Sequence, residues 1–158
     1  MQKDDANMSE EIRAARAEIE QILKGICDAD GYAIGAVLVD VRSDLIIMKY
    51  MKPTRVSDVG PIGEIETSGG ILGKLIPGLK DLCSEARLNL GNPLFTIVIA
   101  NKGTAIIHIV REDSVILFFG VRGMNISYIA QQLANMHTRL KTLIEKAGLT
   151  ATGEEWGF

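Results

Sequence analysis

The sequence predicts an α+β domain with three layers, α/β/α. In it, a five-stranded antiparallel sheet carries one helix on one face and two on the other. The first observation is a run of three apolar segments, residues 94–100, 104–110 and 114–119, joined by short turns. Turns this short require antiparallel neighbours, because a parallel pair needs a longer crossover. The second observation is that these segments are apolar on both faces, so helices must cover both sides of the sheet.

The flanking segments supply the other elements, in the predicted order α-β-β-α-β-β-β-α. Isoleucines and an alanine recur at steps of three and four in residues 10–27, which predicts the first helix. Residues 32–40 and 45–51 form a predicted hairpin, and Lys49 within it is typical of an edge strand. The last helix, residues 126–147, has the most regular apolar pattern in the chain.

The second helix, predicted over about residues 65–88, has an unusual composition. It contains Pro77, which should kink it, and four glycines, Gly69, Gly70, Gly73 and Gly78. Each glycine costs a helix about 1 kcal/mol relative to alanine. Two explanations remain open. Either the small residues allow another backbone to approach closely, or the helix is broken in two near Pro77.

The chain divides into one domain and two short tails. Residues 1–8 are predicted to be a disordered tail, residues 9–148 the domain, and residues 149–158 a short C-terminal tail. Trp156 and Phe158 are large aromatic residues in this otherwise polar tail. They either fold back on the domain, remain disordered, or anchor a binding partner.

Composition excludes several classes of protein. The net charge of −3 provides no global basic field for nucleic acid or an anionic membrane. No apolar signal peptide begins the chain, and no segment approaches the ~20 apolar residues of a membrane span. We therefore expect a cytoplasmic protein that neither binds nucleic acid nor inserts into a membrane. Cys27 and Cys83 are expected to be reduced core thiols.

No motif in the sequence predicts catalysis, a cofactor or a metal ion. Gly73-Lys74 fails the phosphate-loop pattern, because Ser68 stands where the first glycine is needed and Leu75 where Ser or Thr is needed. His108 falls within a predicted strand and His137 within a predicted helix, with no acidic partner nearby in sequence. Each is therefore expected to be a satisfied or half-exposed side chain, and the two are not expected to form a site. The sequence thus predicts no catalytic residues, no cofactor, no metal site and no enzyme.

Several segments together resemble the roadblock (dynein light chain) domain, a profilin-like fold, over roughly residues 9–148. They are an opening helix leading into Gly35-Ala36-Val37-Leu38-Val39-Asp40, the small residues Ser68-Gly69-Gly70, the meander segments Thr96-Ile97-Val98-Ile99-Ala100-Asn101-Lys102-Gly103 and Ser114-Val115-Ile116-Leu117, and Asn125-Ile126 at the last helix. The fold implied by this resemblance agrees with the one derived above from the strands.

The resemblance implies a scaffold or regulator, since roadblock proteins form homodimers or heterodimers and many act on small Ras-like GTPases. Similar bacterial members include regulators of gliding-motility GTPases. By this analogy the chain pairs with itself or with a paralogue through its second helix and third strand. The implied dimer residues are Leu72, Leu75, Leu79 and Cys83 on the helix, with Thr96 and Val98 on the strand.

An alternative is a small-molecule sensor of the profilin-like or PAS-like kind. Such a protein needs a pocket between sheet and helix, with a volume of ~300 Å³ or more and a few convergent polar groups. Tyr32, His108 and Tyr128 are the candidates for these groups. An enzyme with a dispersed active site is a further alternative, which no motif supports.

Overall fold

The computed structural model describes residues 2–53 and 68–148. The elements follow the predicted order, α-β-β-α-β-β-β-α. They are α1 (Gln2–Ala29), β1 (Ala33–Asp40), β2 (Leu45–Met51), α2 (Ser68–Cys83), β3 (Phe95–Ile99), β4 (Gly103–Arg111), β5 (Ser114–Val121) and α3 (Ile126–Lys146).

The strands form one antiparallel sheet in the order β2-β1-β5-β4-β3, so that β2 and β3 are its two edges. The predicted meander is confirmed, since β4 pairs with both β3 and β5. The first hairpin adds β1 to the free side of β5 and β2 beyond it. The predicted edge position of Lys49 is also confirmed.

Helices cover both faces of the sheet, as the two-sided apolar pattern predicts. The helices α1 and α3 pack on one face, against a core that includes Leu38, Ile106, Ile116 and Phe118. The helix α2 packs on the other face, where Leu72 and Ile76 contact a smaller core that includes Val37, Val39, Ile107, Ile109 and Val115. Burying one such side chain contributes about 1.5–3 kcal/mol, so both layers stabilise the sheet.

The first helix begins earlier than the sequence pattern indicates. Residues 2–8, predicted as a disordered tail, are helical in the structure and continue into the amphipathic part of α1. No glycine or proline interrupts this segment before Gly25, and its lysine, glutamine and alanine favour helix. The predicted C-terminal tail, residues 149–158, lies outside the described residues.

The helix α2 runs continuously through Pro77, which decides against the second of the two explanations left open, a helix broken near this residue. Burial of Leu72 and Ile76 against the sheet offsets the cost of a proline inside a helix, about 3 kcal/mol. The helix ends at Cys83, before the predicted end near residue 88, where the Ser84 hydroxyl donates to the Asp81 carbonyl at 2.6 Å.

Close approach explains one of the helix glycines. A Cβ on Gly73 would lie 2.6 Å from Asp44 Oδ1 and 3.1 Å from the Val41 carbonyl oxygen, both in the β1–β2 turn. The missing side chain therefore lets α2 lie directly against this turn. Gly70 and Gly78 are different, because a Cβ on either would meet no described atom within 4 Å.

Candidate functional site

The edge strand β3 is the most exposed apolar strand among the described residues. Its five residues, FTIVI, include no charge, and the exposed ones are Ile97, Val98 and Ile99. Within the described residues β3 pairs with β4 alone, so the backbone groups of its outer edge are free to pair. An edge strand with exposed apolar side chains and no charge is a template for pairing with another chain.

The helix α2 carries two apolar stripes, of which one faces the sheet and the other faces outward. Leu72 is 4% exposed within the sheet-facing stripe, whereas Leu75 is 38% exposed. Ile71 and Leu82 are exposed as well, and they lie four residues before and seven residues after Leu75. These spacings place all three on one side of the helix.

The six residues implied by the resemblance are distributed unequally between these stripes. Leu72 belongs to the core under α2, so its side chain is already used within the chain. Leu79 packs partly against the same core, Leu75 is exposed, and Cys83 is partly exposed at the helix end. On β3, Thr96 is half-buried and Val98 is exposed.

Register places Thr96 and Val98 on the side of the sheet that carries α2. Thr96 lies opposite Ile107, a residue of the core under α2, and Val98 follows two positions later on the same face. The strand and the outward stripe of α2 are therefore accessible from one side of the domain. Sequence reasoning missed Ile71 and Leu82, although their helical spacing from Leu75 could have identified them.

The connection between α2 and β3 extends this apolar region, since Leu88, Leu90 and Leu94 are all exposed. We call the combined region the α2–β3 surface, and it comprises Ile71, Leu75, Leu82, Leu88, Leu90, Leu94 and Val98. Exposed apolar regions of this kind mark protein-interaction sites in soluble proteins.

The two histidines contact each other in the structure, although no motif links them in the sequence. His108 Nε2 lies 3.1 Å from His137 Nδ1, and the Phe95 ring stacks on His108 with centroids 4.6 Å apart. His108 is only 1% exposed, and its burial, together with the nearby His137, lowers its pKa to about 4. The pair joins β4 to α3, two elements far apart in sequence, and no local pattern announces it.

The surroundings of His108 define its protonation. Among the described residues, no group hydrogen-bonds to its Nδ1. A buried N–H without an acceptor costs more than a buried lone pair, so the proton belongs on Nε2 and is donated to His137 Nδ1. The contact thus joins β4 to α3, and the His108 ring also stacks on Phe95 at the start of β3.

The groups expected to line a sensor pocket do not converge. Tyr32 is exposed beside Gly123, where a Cβ would lie 3.3 Å from the Tyr32 ring. His108 is buried between Phe95 and His137, and Tyr128 packs against the core beneath α1 and α3. The structure thus gives this alternative no shared site.

The two cysteines differ in burial, since Cys27 is buried and Cys83 is partly exposed. Within residues 2–53 and 68–148, no three His, Cys, Asp or Glu side chains are grouped so that they could hold a metal ion. Burial raises the pKa of the Cys27 thiol to about 11, which agrees with a core thiol.

None of the described helices is both long and apolar enough to cross a membrane. Trp156 and Phe158 lie outside the described residues.

Solved structures with the same architecture identify the fold. The gliding protein MglB from Thermus thermophilus superposes with a TM-score of 0.70 at 11% identity, over 85% of this chain and 93% of that chain. An MglB with a tetrameric arrangement gives 0.67 at 13% identity, with the same two coverages. A roadblock/LC7 domain from Streptomyces avermitilis gives 0.59 at 8% identity, over 78% and 95%.

No protein-family model and no curated protein matches the sequence. The likeness therefore concerns three-dimensional structure, and at these identities it establishes the fold. It confirms the resemblance that the sequence predicts, and the chain has the roadblock fold of the MglB-type gliding proteins.

Proposed function

We propose that this chain is a non-enzymatic, dimeric regulator or scaffold that acts on a small Ras-like GTPase. The single observation that carries the proposal is the uncharged, exposed edge strand β3, on the same face of the domain as the outward apolar stripe of α2. Proteins protect such edges with charge, bulges or a covering element, unless the edge is used. Here the covering element is a second copy of the chain or a paralogue.

A two-fold arrangement satisfies both parts of the α2–β3 surface. Antiparallel pairing of β3 with the same strand of another copy would give partners to its free N–H and C=O groups and continue the sheet. Leu75, Leu79 and Cys83 would then contact the partner's helix, and Thr96 and Val98 the partner's strand. Leu72 supports this face from beneath without reaching the partner.

The outward stripe of α2 suggests a role for Gly78, one of the two helix glycines that meet no close contact within the described residues. Gly78 lies three residues after Leu75, and a Cβ there would meet open space within the described part of this chain. A glycine in an exposed helix costs stability with no return inside the chain. Close approach of a partner's helix across Gly78 gives it a role.

Two findings support assembly and regulation. One MglB of the same fold has a tetrameric arrangement. The roadblock resemblance implies scaffolds and GTPase regulators, and the exposed residues of the α2–β3 surface are apolar side chains that bind proteins but cannot transfer protons.

The first test is the molar mass in solution, measured by light scattering across a dilution series. We expect about two chains per particle over most of the range. A mass of one chain at every concentration would contradict the homodimer, and coexpression with paralogues would then test a heterodimer.

The second test concerns the GTPase. Ras-like GTPases of the same organism are loaded with GDP or with a non-hydrolysable GTP analogue, and binding to this chain is measured by titration calorimetry. A regulator must bind the two states with different affinity, because a ligand with equal affinity for both cannot shift their balance. Equal affinity would reduce the role to a scaffold, and no binding would contradict the GTPase proposal.

A further inference from the structure

A groove of about 440 Å³ opens between α3, the β4–β5 turn and the connection that leads into β3. Four parts of the chain line it: the end of α2, the connection before β3, the β4–β5 turn region and α3. They contribute, among others, Lys80, Pro93, Leu94, Arg111, Glu112 and Lys141. The sequence patterns predict nothing at this place, because these parts are distant from one another along the chain.

The groove is lined by two lysines and one acidic residue, Glu112, so the lysines leave it with a net positive charge. Arg111 is already paired, with Nη1 at 2.7 Å from Glu145 Oε1 and Nε at 3.7 Å from Asp113 Oδ1. Lys80 Nζ donates a hydrogen bond of 3.3 Å to the backbone carbonyl of Glu112, and not to a carboxylate. Lys141 is exposed on α3. In a chain of net charge −3, this is a local site for an acidic group.

The groove also offers apolar contact. Leu94 is 54% exposed at its wall, and Pro93 precedes it. The aliphatic stems of Lys80 and Lys141 add further apolar area, and their ammonium groups can lie over an aromatic ring. A segment that fits here therefore combines carboxylates with aromatic side chains.

The C-terminal segment of this chain has that composition, since Glu154 and Glu155 directly precede Trp156 and Phe158 follows. We propose that residues 149–158 fold back and dock in this groove. In the docked state the two glutamates face Lys80 and Lys141, and the Trp156 ring lies against Leu94. The proposal does not depend on the GTPase, and it shares only Leu94 with the α2–β3 surface of the proposed dimer.

The geometry of α3 allows this return. Gly148 has φ +66°, the left-handed conformation with which glycine ends a helix and redirects the chain. Lys141 lies seven residues before Gly148, about 10 Å along the helix axis. Trp156 follows Gly148 by eight residues, which can span up to about 26 Å. Covalent linkage provides a high effective concentration, so that modest contacts suffice.

Trp156 is the only tryptophan of the chain, so its fluorescence reports on the segment alone. The experiment measures the emission maximum and acrylamide quenching of the full chain, with the free peptide of residues 149–158 as the exposed reference. We expect emission at shorter wavelength and a quenching constant several-fold lower than that of the peptide. Equal values for chain and peptide would overturn the proposal.

Charge reversal locates the docking site. The double variant Lys80→Glu/Lys141→Glu should raise the quenching constant to that of the peptide, while Lys24→Glu, at an exposed lysine of α1, should leave it unchanged. Circular dichroism verifies that each variant is folded. Protection that survives the double substitution would overturn the proposal in favour of another site. Protection that disappears on dilution would overturn it in favour of a second copy.

Discussion

The two edges of the sheet are built differently. At the β2 edge, Lys49 is exposed within the strand, and the pairing with β1 shifts register between Leu38 and Val39. A charge and a bulge are both devices that prevent an edge from pairing with another chain. The β3 edge has neither, since FTIVI is uncharged and its ladder with β4 is regular.

The anchoring of the two edges differs as well. At the end of β2, Tyr50 Oη donates to Asp28 at 2.5 Å, the Lys52 N–H donates to the Ile34 carbonyl, and Lys52 Nζ donates to the Asp30 carbonyl. At β3, Phe95 rests on His108, whereas the end of the strand is exposed. Among the described residues, the end of β2 is thus anchored to α1 and β1, while the end of β3 is exposed.

The largest effect on stability is expected at Asp30, next to the anchor of the β2 edge. The buried Asp30 carboxylate accepts from the N–H groups of Tyr32 at 2.8 Å, Ala33 at 3.2 Å and Asn125 at 2.7 Å. It thus ties the end of α1 to β1 and to the start of α3. Asp30→Ala leaves these donors unpaired and should lower the free energy of unfolding by about 3–4 kcal/mol, measured by urea denaturation.

A matched control separates this network from a surface charge. Asp81→Ala also removes a paired aspartate, but Asp81 and its partner Arg87 are both largely exposed. Its cost should stay below about 1 kcal/mol. Equal costs for the two variants would contradict the role given to Asp30.

The second effect concerns the β3 side and depends on pH. Because the folded pKa of His108 is lowered to about 4 from 6.5, the unfolded chain binds more protons between these values. The stability that neutral, buried His108 contributes is therefore fully present above about pH 6.5. It is lost as the pH falls toward 4, by up to about 3 kcal/mol. Urea midpoints at successive pH values measure this, and His108→Leu should flatten that part of the profile. An unchanged profile in His108→Leu would assign the dependence to other groups.

The sequence predicted the sheet because strand pairing here is largely local. Short turns dictate antiparallel neighbours, and apolar residues on both faces require helices on both sides. It could not separate the roles of Leu72 and Leu75, because both lie in one wide apolar arc and only packing decides which side meets the sheet. The contact between His108 and His137 was missed because 29 residues separate them and neither has a local signature. The early start of α1 was missed because residues 2–8 lack the apolar spacing of residues 10–27, although nothing in them prevents a helix.

The third effect comes from placing a charge on each edge strand. Val98→Lys on β3 and Leu45→Lys on β2 each substitute an exposed apolar position, 45% and 53% exposed respectively. Within the proposed dimer, only the first buries that charge. We expect Val98→Lys to weaken self-association roughly 30-fold, about 2 kcal/mol, as measured by sedimentation equilibrium. Similar weakening by Leu45→Lys would show that β3 is not the pairing edge.

The smallest effect is expected for the Tyr50–Asp28 hydrogen bond, and its size shows which contact anchors the β2 edge. The hydrogen bond that Tyr50 donates to Asp28 raises the pKa of Tyr50 to about 12, which a spectrophotometric titration of the chain and of Tyr50→Phe should resolve. Because this bond lies near the surface, Tyr50→Phe should cost less than about 1 kcal/mol, with Tyr128→Phe as the control. A small cost would assign the β2 anchor to the buried Asp30 and Lys52 instead. A cost near that of Asp30→Ala would instead make the Tyr50–Asp28 hydrogen bond a main anchor of the β2 edge.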